Sequence, residues 1–572
     1  MVYTGAAMFL KFTQSKGRRY VQLVEAFRDG AGHPRQRTVA TLGRLDEEGG
    51  AVDAMLKRLA QAKGRRLDGG DAAAPQVQFE SALALGDVWA LDQLWRELGF
   101  TELAAVFRRA RFTAPVEPAI RAMVFNRLCD ADSKLGVLRW LKTVSMPGVT
   151  ADDLTHQQLL RAMDALMDHR EAVDTCVAGL LRPLIDQELS LVFYDLTTIR
   201  TEGLSEQVGD VRKFGMAKEG VVARQFMLGV VQTADGMPIH HEVFEGNQAE
   251  APTLLPTLKK VLERYKYIRR LVVVADRGLL SLDNIEELQR ISLPDGQPLE
   301  FILAVPGRRY GEFTDILQAF QTKAAAATSE VIDEARWQDL RLIVAHNPAQ
   351  AAEQTARRRE RIQELEARAA QLAGKLDGQD AGVRSRGRKL SDGGATARFY
   401  HEVSESHLLR IVRVDLKSAQ FVYSIDDEAL ARAELLDGKL LLVTNVADLE
   451  PKEVVASYKA LADIERGFKI LKSEIEIAPV FHPLPDRIRA HAMLCFIALI
   501  IYRVMRSRLK LAGVELSPER ALEQLRAIQR HRVRINDAEP IDGISTIDAG
   551  QANLFQALKL SKPTRDAQMP LL

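Results

Sequence analysis

The chain has 572 residues, of which 47% are hydrophobic and 27% charged, a globular composition that excludes a disordered or fibrous protein. This length exceeds what one hydrophobic core usually fills, so three or more packed units are expected. The 78 Lys and Arg residues are balanced by 77 Asp and Glu residues. There is thus no global attraction to a polyanion, and any nucleic-acid-binding surface must be local.

The cysteines, the first residues and the most apolar stretch indicate where the protein works. Cys129, Cys176 and Cys495 lie far apart and form no CxxC pair, which disfavours a disulfide framework and a zinc module. The opening residues lack a charged start followed by a long apolar core, so they do not resemble a signal peptide. Residues 492–502 (AMLCFIALIIY) are about half of the ~20 residues that a membrane-spanning helix needs, and they predict a buried core helix. We therefore expect a cytoplasmic protein without a membrane segment.

Three segments precede the first strongly apolar strand. Residues 1–50 alternate short apolar runs with turns and predict a small β-rich module. The module is basic at its turns, and this suits contacts with DNA phosphates and solvent-exposed hairpins equally. The basic residues are Lys16, Arg18, Arg19, Arg35 and Arg37. Residues 51–78 have the composition of a linker. Residues 79–188 have helical apolar spacing and predict an α-helical domain that could bind DNA, although no spacing identifies a recognition helix.

From residue 189 the pattern becomes that of an α/β protein. Residues 189–305 follow the order strand, strand, strand, helix, strand, helix, strand, which predicts the first part of a ribonuclease-H-like core. Residues 306–440 are expected to interrupt this core as an insertion domain. Residues 441–510 would complete the core, and residues 511–572 predict a helical tail. The small β-rich N-terminal module and the α-helical domains flank this core.

Two features stand out within the predicted insertion. One helix face is shared by Ile362, Leu365, Ala369, Leu372 and Leu376, which predicts a helix packed inside the insertion. The loop that follows is rich in Gly and Arg. Its cations, Arg384, Arg386, Arg388 and Lys389, suit either a grip on a DNA backbone or simple solvation.

Two aspartates occupy costly positions in apolar strands. Asp195 lies inside the apolar strand of LVFYDLTT, and Asp276 follows the apolar run LVVVA in LVVVADRG. Because burial disfavours the charged form of a carboxylate, each needs a partner, and a metal ion is one. Paired carboxylates supply the hard oxygen ligands that Mg²⁺ prefers, and two ions ~3.5–4 Å apart stabilise the attacking and leaving oxygens of an in-line displacement. Taken singly, an Asp after a strand is more often a helix cap or turn residue.

A third carboxylate lies in a helical pattern further along the chain. In ASYKALADIERGFKILKSEIEIAPVFH, successive spacings of seven residues place Tyr458, Glu465 and Lys472 near one stripe of a single helix. An ordinary amphipathic helix of mixed charge has a similar pattern. This spacing alone therefore does not distinguish a catalytic helix from an ordinary one.

Together these motifs resemble a known family. FYDLTT, HHEVFEGN, VVADRGLLS and Tyr-x6-Glu-x6-Lys are similar to successive blocks of insertion-sequence DDE transposases of the IS-four superfamily, in the branch with a Tyr-Arg-Glu-Lys signature. The start of the chain resembles the subgroup numbered sixteen-thirty-four. The resemblance implies an enzyme that cleaves transposon ends and transfers the freed strand into target DNA. Asp195, Asp276 and Glu465 would hold two Mg²⁺ ions, with Mn²⁺ as an alternative.

The resemblance also implies DNA contacts and an assembly. Tyr458 and Lys472 match signature residues that would hold phosphate oxygens, but Leu461 stands where the signature has Arg. Nearby cations that could replace this Arg are Lys459, Arg466 and Lys469. The partners would be double-stranded DNA, as terminal inverted repeats and target, and a second copy of the chain on the paired ends. The place would be the nucleoid of a prokaryotic cytoplasm.

Two other functions stay open on the sequence. FYDLTT is similar to the Asp-x-Asp-x-Thr motif of haloacid-dehalogenase phosphatases, but Thr197 replaces the second Asp and the Tyr-Glu-Lys helix stays unexplained. A catalytically inactive, transposase-derived DNA-binding protein or repressor would keep most of the motifs.

Two further motifs have plain structural interpretations. His240 and His241 are adjacent on a strand, so they point to opposite faces and cannot both bind one zinc ion. We expect them in the core or at the surface. Gly246 and Asn247 are predicted to form a turn from strand to helix.

Overall fold

The secondary structure of the computed structural model is given for residues 7–15, 18–28, 34–44, 77–112, 115–184, 190–216, 220, 222–266, 268–276, 282–293, 295–324, 326–382, 389–536 and 538–564. The strands are β1 (Ala7–Ser15), β2 (Arg18–Arg28), β3 (Pro34–Arg44), β4 (Val77–Ala84), β5 (Ser190–Arg200), β6 (Lys213–Met216), β7 (Val222–Thr233), β8 (Pro238–Glu245), β9 (Leu271–Ala275), β10 (Glu300–Ala304), β11 (Val331–Trp337), β12 (Leu340–His346), β13 (Val412–Val414), β14 (Tyr423–Ile425), β15 (Lys439–Thr444), β16 (Gln529–Ile535) and β17 (Ile541–Ile544).

The helices follow the same chain order. They are α1 (Gly86–Glu97), α2 (Leu103–Arg109), α3 (Val116–Cys129), α4 (Lys134–Leu141), α5 (His156–Asp168), α6 (Arg170–Leu181), α7 (Leu254–Arg264), α8 (Leu282–Arg290), α9 (Thr314–Ala324), α10 (Pro348–Asp380), α11 (Asp392–Glu405), α12 (Asp427–Leu436), α13 (Pro451–Lys459), α14 (Leu461–Ser473), α15 (Pro485–Leu511), α16 (Pro518–Arg526) and α17 (Ala549–Ala557).

The chain divides into two compact units, and the smaller one is built from strands. It comprises Met1–Ala82 and His531–Gly543. Strands β1, β2 and β3 form an antiparallel sheet, and a second sheet has the order β17-β16-β4. The predicted helical tail is therefore wrong where it contains β16 and β17. The alternation of β16 is masked by its many charges, and β16 pairs with a strand about 450 positions away, where Arg532 and Arg534 both bind Glu80.

The larger unit is a mixed α/β structure around a nine-stranded sheet. Its strand order is β11-β12-β15-β10-β9-β5-β7-β6, and β8 also pairs with β7, on the edge opposite β5. β5, β9 and β10 are parallel to one another, and β7 is antiparallel to β5. All residues of β9 (LVVVA) are buried, because this strand lies inside the sheet with apolar cores on both faces.

The insertion begins later than predicted. β11 and β12 extend the main sheet, and β12 pairs antiparallel with β15. The segment between β12 and β15 has its own core, formed by α10, α11, α12 and the β13–β14 hairpin. Ile362, Leu365, Ala369 and Leu372 on α10 are buried in it, which confirms the predicted helix face. Sequence order does not show that β11 and β12 belong to the main sheet, because their link to it, β15, follows the insertion.

The most apolar stretch is a core helix, as predicted. α15 is long and apolar enough to cross a membrane by length and composition, but 89% of its most apolar 18-residue window is buried in the protein. It packs against α3, α5 and β8, and it therefore joins the helical segment to the sheet.

Candidate active site

The two strand-borne aspartates come together at the ends of adjacent parallel strands. β5 and β9 pair up to Tyr194 and Ala275. Asp195 and Asp276 follow next on each strand, where parallel neighbours are about 4.8 Å apart. Both residues are half-buried. The sheet therefore places two carboxylates side by side, although they are far apart in sequence.

Both aspartates lie on the sheet face that α13 and α14 cover. Side chains alternate along a strand, so Asp195 shares a face with Phe193, and Asp276 shares a face with Val274. Phe193 and Val274 belong to an apolar cluster that also contains Val454 of α13. This cluster forms an apolar floor beneath the carboxylates, where the charge of each is less well solvated than in open water.

Each aspartate has a defined hydrogen-bond partner. The hydroxyl group of Tyr458, on α13, donates to Asp276 Oδ1 over 2.8 Å. The backbone N–H of Leu196 donates to Asp195 Oδ1 over 2.7 Å. Carboxylate oxygens are acceptors, and cations of the Mg²⁺ type prefer them as ligands. The donor chemistry of the pair therefore fits a hard divalent cation.

The helix that carries the third carboxylate lies on β5. Glu465 and Arg466 belong to α14, which packs against β5. Their side chains lie outside the described residues. Among the side chains that are described, no cluster of three metal-ligating residues occurs.

The prediction of a single helix from Tyr458 to Lys472 is wrong, because this segment forms two helices. α13 ends at Lys459, Ala460 forms a turn, and α14 begins at Leu461. The seven-residue spacing therefore relates Glu465 to Lys472 on α14, whereas Tyr458 lies on α13. The break lets α13 lie over β9 and β10 while α14 lies over β5.

The predicted DNA-contacting cations differ in their surroundings. Lys472 is half-buried in the last turn of α14, and Lys469 is exposed. The ammonium group of Lys459 instead lies 2.6 and 2.7 Å from the two carboxylate oxygens of Glu330. Lys459 is thus less suited to replace the signature Arg than the sequence indicated.

The position of the missing Arg is apolar. Leu461 is 8% exposed and belongs to the apolar cluster under the carboxylates. A guanidinium group at this position would have to leave that cluster to reach a phosphate.

His240 and His241 are both buried, so of the two expected locations, core and surface, the core is the one observed. His240 Nδ1 lies 3.0 Å from a guanidinium nitrogen of Arg264, and the ring of His241 stacks on Phe496 with centroids 4.5 Å apart. Burial, with the charge of Arg264, lowers the pKa of His240 to about 3. Burial, with the charge of Arg170, lowers the pKa of His241 well below its ordinary value.

Gly246 has the structural role that the sequence predicted. It follows β8 and accepts a hydrogen bond from Gln225 Nε2 over 3.0 Å. A Cβ atom at Gly246 would lie 1.9 Å from the backbone oxygen of Gln225. A cavity of about 320 Å³ beside Gly246 is lined in part by Leu196, Thr197 and Thr198 of β5.

One contact that anchors the chain just after α14 had no signal in the sequence. The guanidinium group of Arg127, on α3, donates to the backbone oxygen of Glu476 over 3.1 Å, just after α14. The two residues are 349 positions apart, and only the tertiary fold brings them together. Arg127 thus fixes the chain where it leaves the helix of Glu465.

Comparison with known families identifies the class of protein to which this fold and paired-carboxylate site belong. Residues 186–501 match the family described as "Transposase DDE domain". This match covers more than half of the chain, so the chain belongs to the DDE transposases, enzymes that cleave DNA and transfer its strands. Residues 10–74 also match the "IS1634 family transposase, N-terminal domain", which identifies an IS1634-type member and confirms the resemblance.

The chain was also compared with curated proteins and with solved structures. None of the curated proteins matches the chain in sequence. A solved structure described as a piggyBac transposase synaptic complex with hairpin DNA is 9% identical over 77% of this chain and 76% of that chain, with a TM-score of 0.37. A TM-score of this size does not establish a common fold.

Proposed function

We propose that the chain is a Mg²⁺-dependent transposase in which Asp195, Asp276 and Glu465 together hold two metal ions, for which Mn²⁺ can substitute. The observation that carries this proposal is the register of β5 and β9, which continues directly into Asp195 and Asp276. The helix of Glu465 packs on the same strand as Asp195, which supports its place as the third carboxylate.

The core that holds these residues is proposed to be ribonuclease-H-like. The order β8-β7-β5-β9-β10, with β7 antiparallel to β5 and three parallel strands, supports this assignment. α13 and α14 lie on one face, whereas Tyr194 on the other face donates to Thr253, next to α7, over 2.8 Å.

The chemistry is a phosphoryl transfer without a covalent protein intermediate. When bound, the two ions would supply Lewis-acid stabilisation for the attacking and leaving oxygens. The protein's own groups hold the reactants in place: Tyr458 restrains Asp276, and the Leu196 N–H restrains Asp195. Lys472 and Lys469 are proposed to hold phosphate oxygens as positive charges.

Two steps follow from this arrangement. In the first, a water oxygen forms a bond to phosphorus at the element end, the bond from phosphorus to the 3′ oxygen breaks, and the water proton passes to solvent. In the second, the freed 3′-hydroxyl oxygen forms a bond to a target phosphorus and its proton passes to solvent. The bond from that phosphorus to the target's own 3′ oxygen breaks, and this oxygen leaves as a 3′-hydroxyl.

The substrates and assembly are proposed from family membership. The element's terminal inverted repeats and target DNA would both be double-stranded, and two copies of the chain would act on paired ends in a prokaryotic cytoplasm, at the nucleoid. The loop cations Arg384, Arg386 and Arg388 lie outside the described residues, and the adjoining Lys389 is exposed.

The test is nicking of labelled element-end DNA with Mg²⁺ or with EDTA, by wild type and by Asp195→Asn and Glu465→Gln variants. Wild-type nicking that requires Mg²⁺ and is lost in both variants is the expected result. Binding of the ends without nicking by wild type, under varied metal and target conditions, would favour the inactive DNA-binding alternative.

A further inference from the structure

A glycine lies inside the helix that carries Glu465. Gly467 occupies the interior of α14 and is buried. Glycine weakens a helix interior compared with alanine, because it loses more backbone freedom on folding. A glycine kept at such a position therefore needs a packing reason.

The packing reason is Gln232 on β7. A Cβ atom at Gly467 would lie 2.7 Å from Gln232 Nε2 and 2.9 Å from Gln232 Oε1. Gln232 is fully buried, so its amide group has little room to move aside. A Cβ at position 467 would therefore require the buried Gln232 side chain or the backbone of α14 to shift.

Gln232 is also unusual as a buried polar group. Neither its Nε2 nor its Oε1 has a hydrogen-bond partner among the described residues. An unsatisfied buried amide costs free energy. Gln232 thus places a buried amide group directly beneath α14.

The contact lies next to the carboxylate site. Gln232 pairs with Phe193, and Val230 pairs with Asp195, on the adjacent strand β5. Gln232 thus shares the sheet face of Asp195. Gly467 is two residues beyond Glu465. The distance between the backbone of α14 and the sheet is therefore set within two residues of both carboxylate positions.

The guanidinium group of Arg503, on α15, lies close to the same Cβ position. Arg503 Nη2 is 3.1 Å from the Cβ position of Gly467, and Arg503 Nη1 is 3.1 Å from that of Gly236. Gly236 has a φ of 81° in the turn between β7 and β8. A Cβ at Gly467 would therefore meet Gln232 and Arg503 together.

We propose that Gly467 and Gln232 are positioning residues that set the height of α14 above the sheet, and thereby place Glu465 against Asp195 and Asp276. This inference rests on the proposed function of these three carboxylates. Displacements of about 1 Å can lower enzymatic rates roughly 100-fold, so a Cβ at position 467 should impair metal-dependent cleavage and leave DNA binding intact.

The experiment compares Gly467→Ala with Gly374→Ala in single-turnover nicking at saturating DNA. Gly374 lies in the interior of α10, where an added Cβ meets no atom within 4 Å. We expect Gly467→Ala to nick roughly 10- to 100-fold more slowly and to need more Mg²⁺ for half-maximal rate, with unchanged binding of element ends. Gly374→Ala should match wild type in all three measurements.

A second variant tests the cause. Gln232→Ala removes the atoms that the new Cβ would strike, so the Gly467→Ala, Gln232→Ala double variant should recover most of the lost rate. If Gly467→Ala alone does not fold, the double variant is compared with wild type in the same nicking assay. A wild-type rate and Mg²⁺ requirement in Gly467→Ala, or a double variant no better than Gly467→Ala, would overturn the inference.

A third variant separates this inference from the proposed function. Glu465→Gln should be inactive. If it nicks as well as wild type, the proposed carboxylate triad is wrong. If Glu465→Gln is inactive and Gly467→Ala is normal, only the positioning role is wrong.

Discussion

Tyr458 donates a hydrogen bond to Asp276 over 2.8 Å, although the two residues are 182 positions apart in sequence. The bond links α13 to the end of β9 and fixes one oxygen of Asp276 before any substrate binds. The resemblance to the family implied that Tyr458 holds a phosphate. The structure instead gives its hydroxyl group a protein partner in the candidate site.

Tyr458→Phe should slow cleavage without unfolding the protein. The ring packs beside the apolar cluster under the carboxylates, and phenylalanine keeps that contact while it removes the donor. A hydrogen bond to a charged group contributes about 1.5–3 kcal/mol, so we expect roughly 10- to 100-fold slower nicking and a higher Mg²⁺ requirement. Tyr400→Phe, at an exposed position on α11, is the control for the loss of a tyrosine hydroxyl group. Equal nicking rates for the two variants would contradict this role.

Lys472 and Lys459 should differ in DNA binding. Loss of one phosphate contact reduces the slope of log affinity against log salt by about one. We expect this reduction for Lys472→Gln, because Lys472 matches a signature residue of the family. We expect almost none for Lys459→Gln, because phosphate would have to displace Glu330 from its ammonium group. Salt titrations of element-end binding measure both. A smaller slope for Lys459→Gln alone would show that the ion pair opens to bind DNA.

Restoring the signature Arg should not help this protein. Leu461 is buried in the apolar cluster, so Leu461→Arg places a charge where water is largely excluded. We expect a loss of about 1–3 kcal/mol in the free energy of unfolding, and no gain in nicking rate. Denaturant titration and the nicking assay check both, and faster nicking at unchanged stability would contradict the prediction.

A buried lysine predicts a pH dependence of stability. Lys134 begins α4 and is 6% exposed. Burial, together with the charge of Arg127, lowers its pKa to about 7, from 10.5 when unfolded. Between these values the unfolded chain binds more protons, so this lysine's contribution to stability rises with pH from 7 to 10.5 and is at its most unfavourable below pH 7.

Lys134→Met should therefore stabilise the protein at neutral pH. We expect a gain on the order of 2–4 kcal/mol at pH 7, falling below about 1 kcal/mol at pH 10. Burial also lowers the pKa of the neighbouring His482, to about 4, but that group titrates below this window. Urea denaturation of both proteins at the two pH values measures the difference. An advantage that does not change between pH 7 and pH 10 would mean that folding does not lower the pKa of Lys134, which then stays charged in the folded and the unfolded protein alike.

The parts of the fold that sequence predicted well are those with local patterns. β5 and β9 are runs of apolar residues because both of their faces are buried, and this made Asp195 and Asp276 conspicuous. The apolar face of α10 was predicted for the same reason, because its apolar residues recur at helical spacing. Four-residue β6 was missed, because it is too short to show a pattern and its Phe214 is exposed.

The rest depends on contacts between distant segments. The break at Ala460 has no proline or glycine to mark it, and it follows from the packing of α13 and α14 on different strands. The burial of Leu461 and the approach of Gln232 to Gly467 likewise depend on the sheet beneath α14. No spacing rule along the chain contains these relationships.

The most direct test of the central claim is a change of metal preference at Asp276. In Asp276→Cys the hard carboxylate is replaced by a softer sulfur ligand, which favours Mn²⁺ over Mg²⁺ more strongly than oxygen does. If Asp276 binds a catalytic metal ion, this variant should be inactive with Mg²⁺ and recover nicking of element ends with Mn²⁺. Nicking at the wild-type rate with Mg²⁺ would contradict the claim that Asp276 holds the metal.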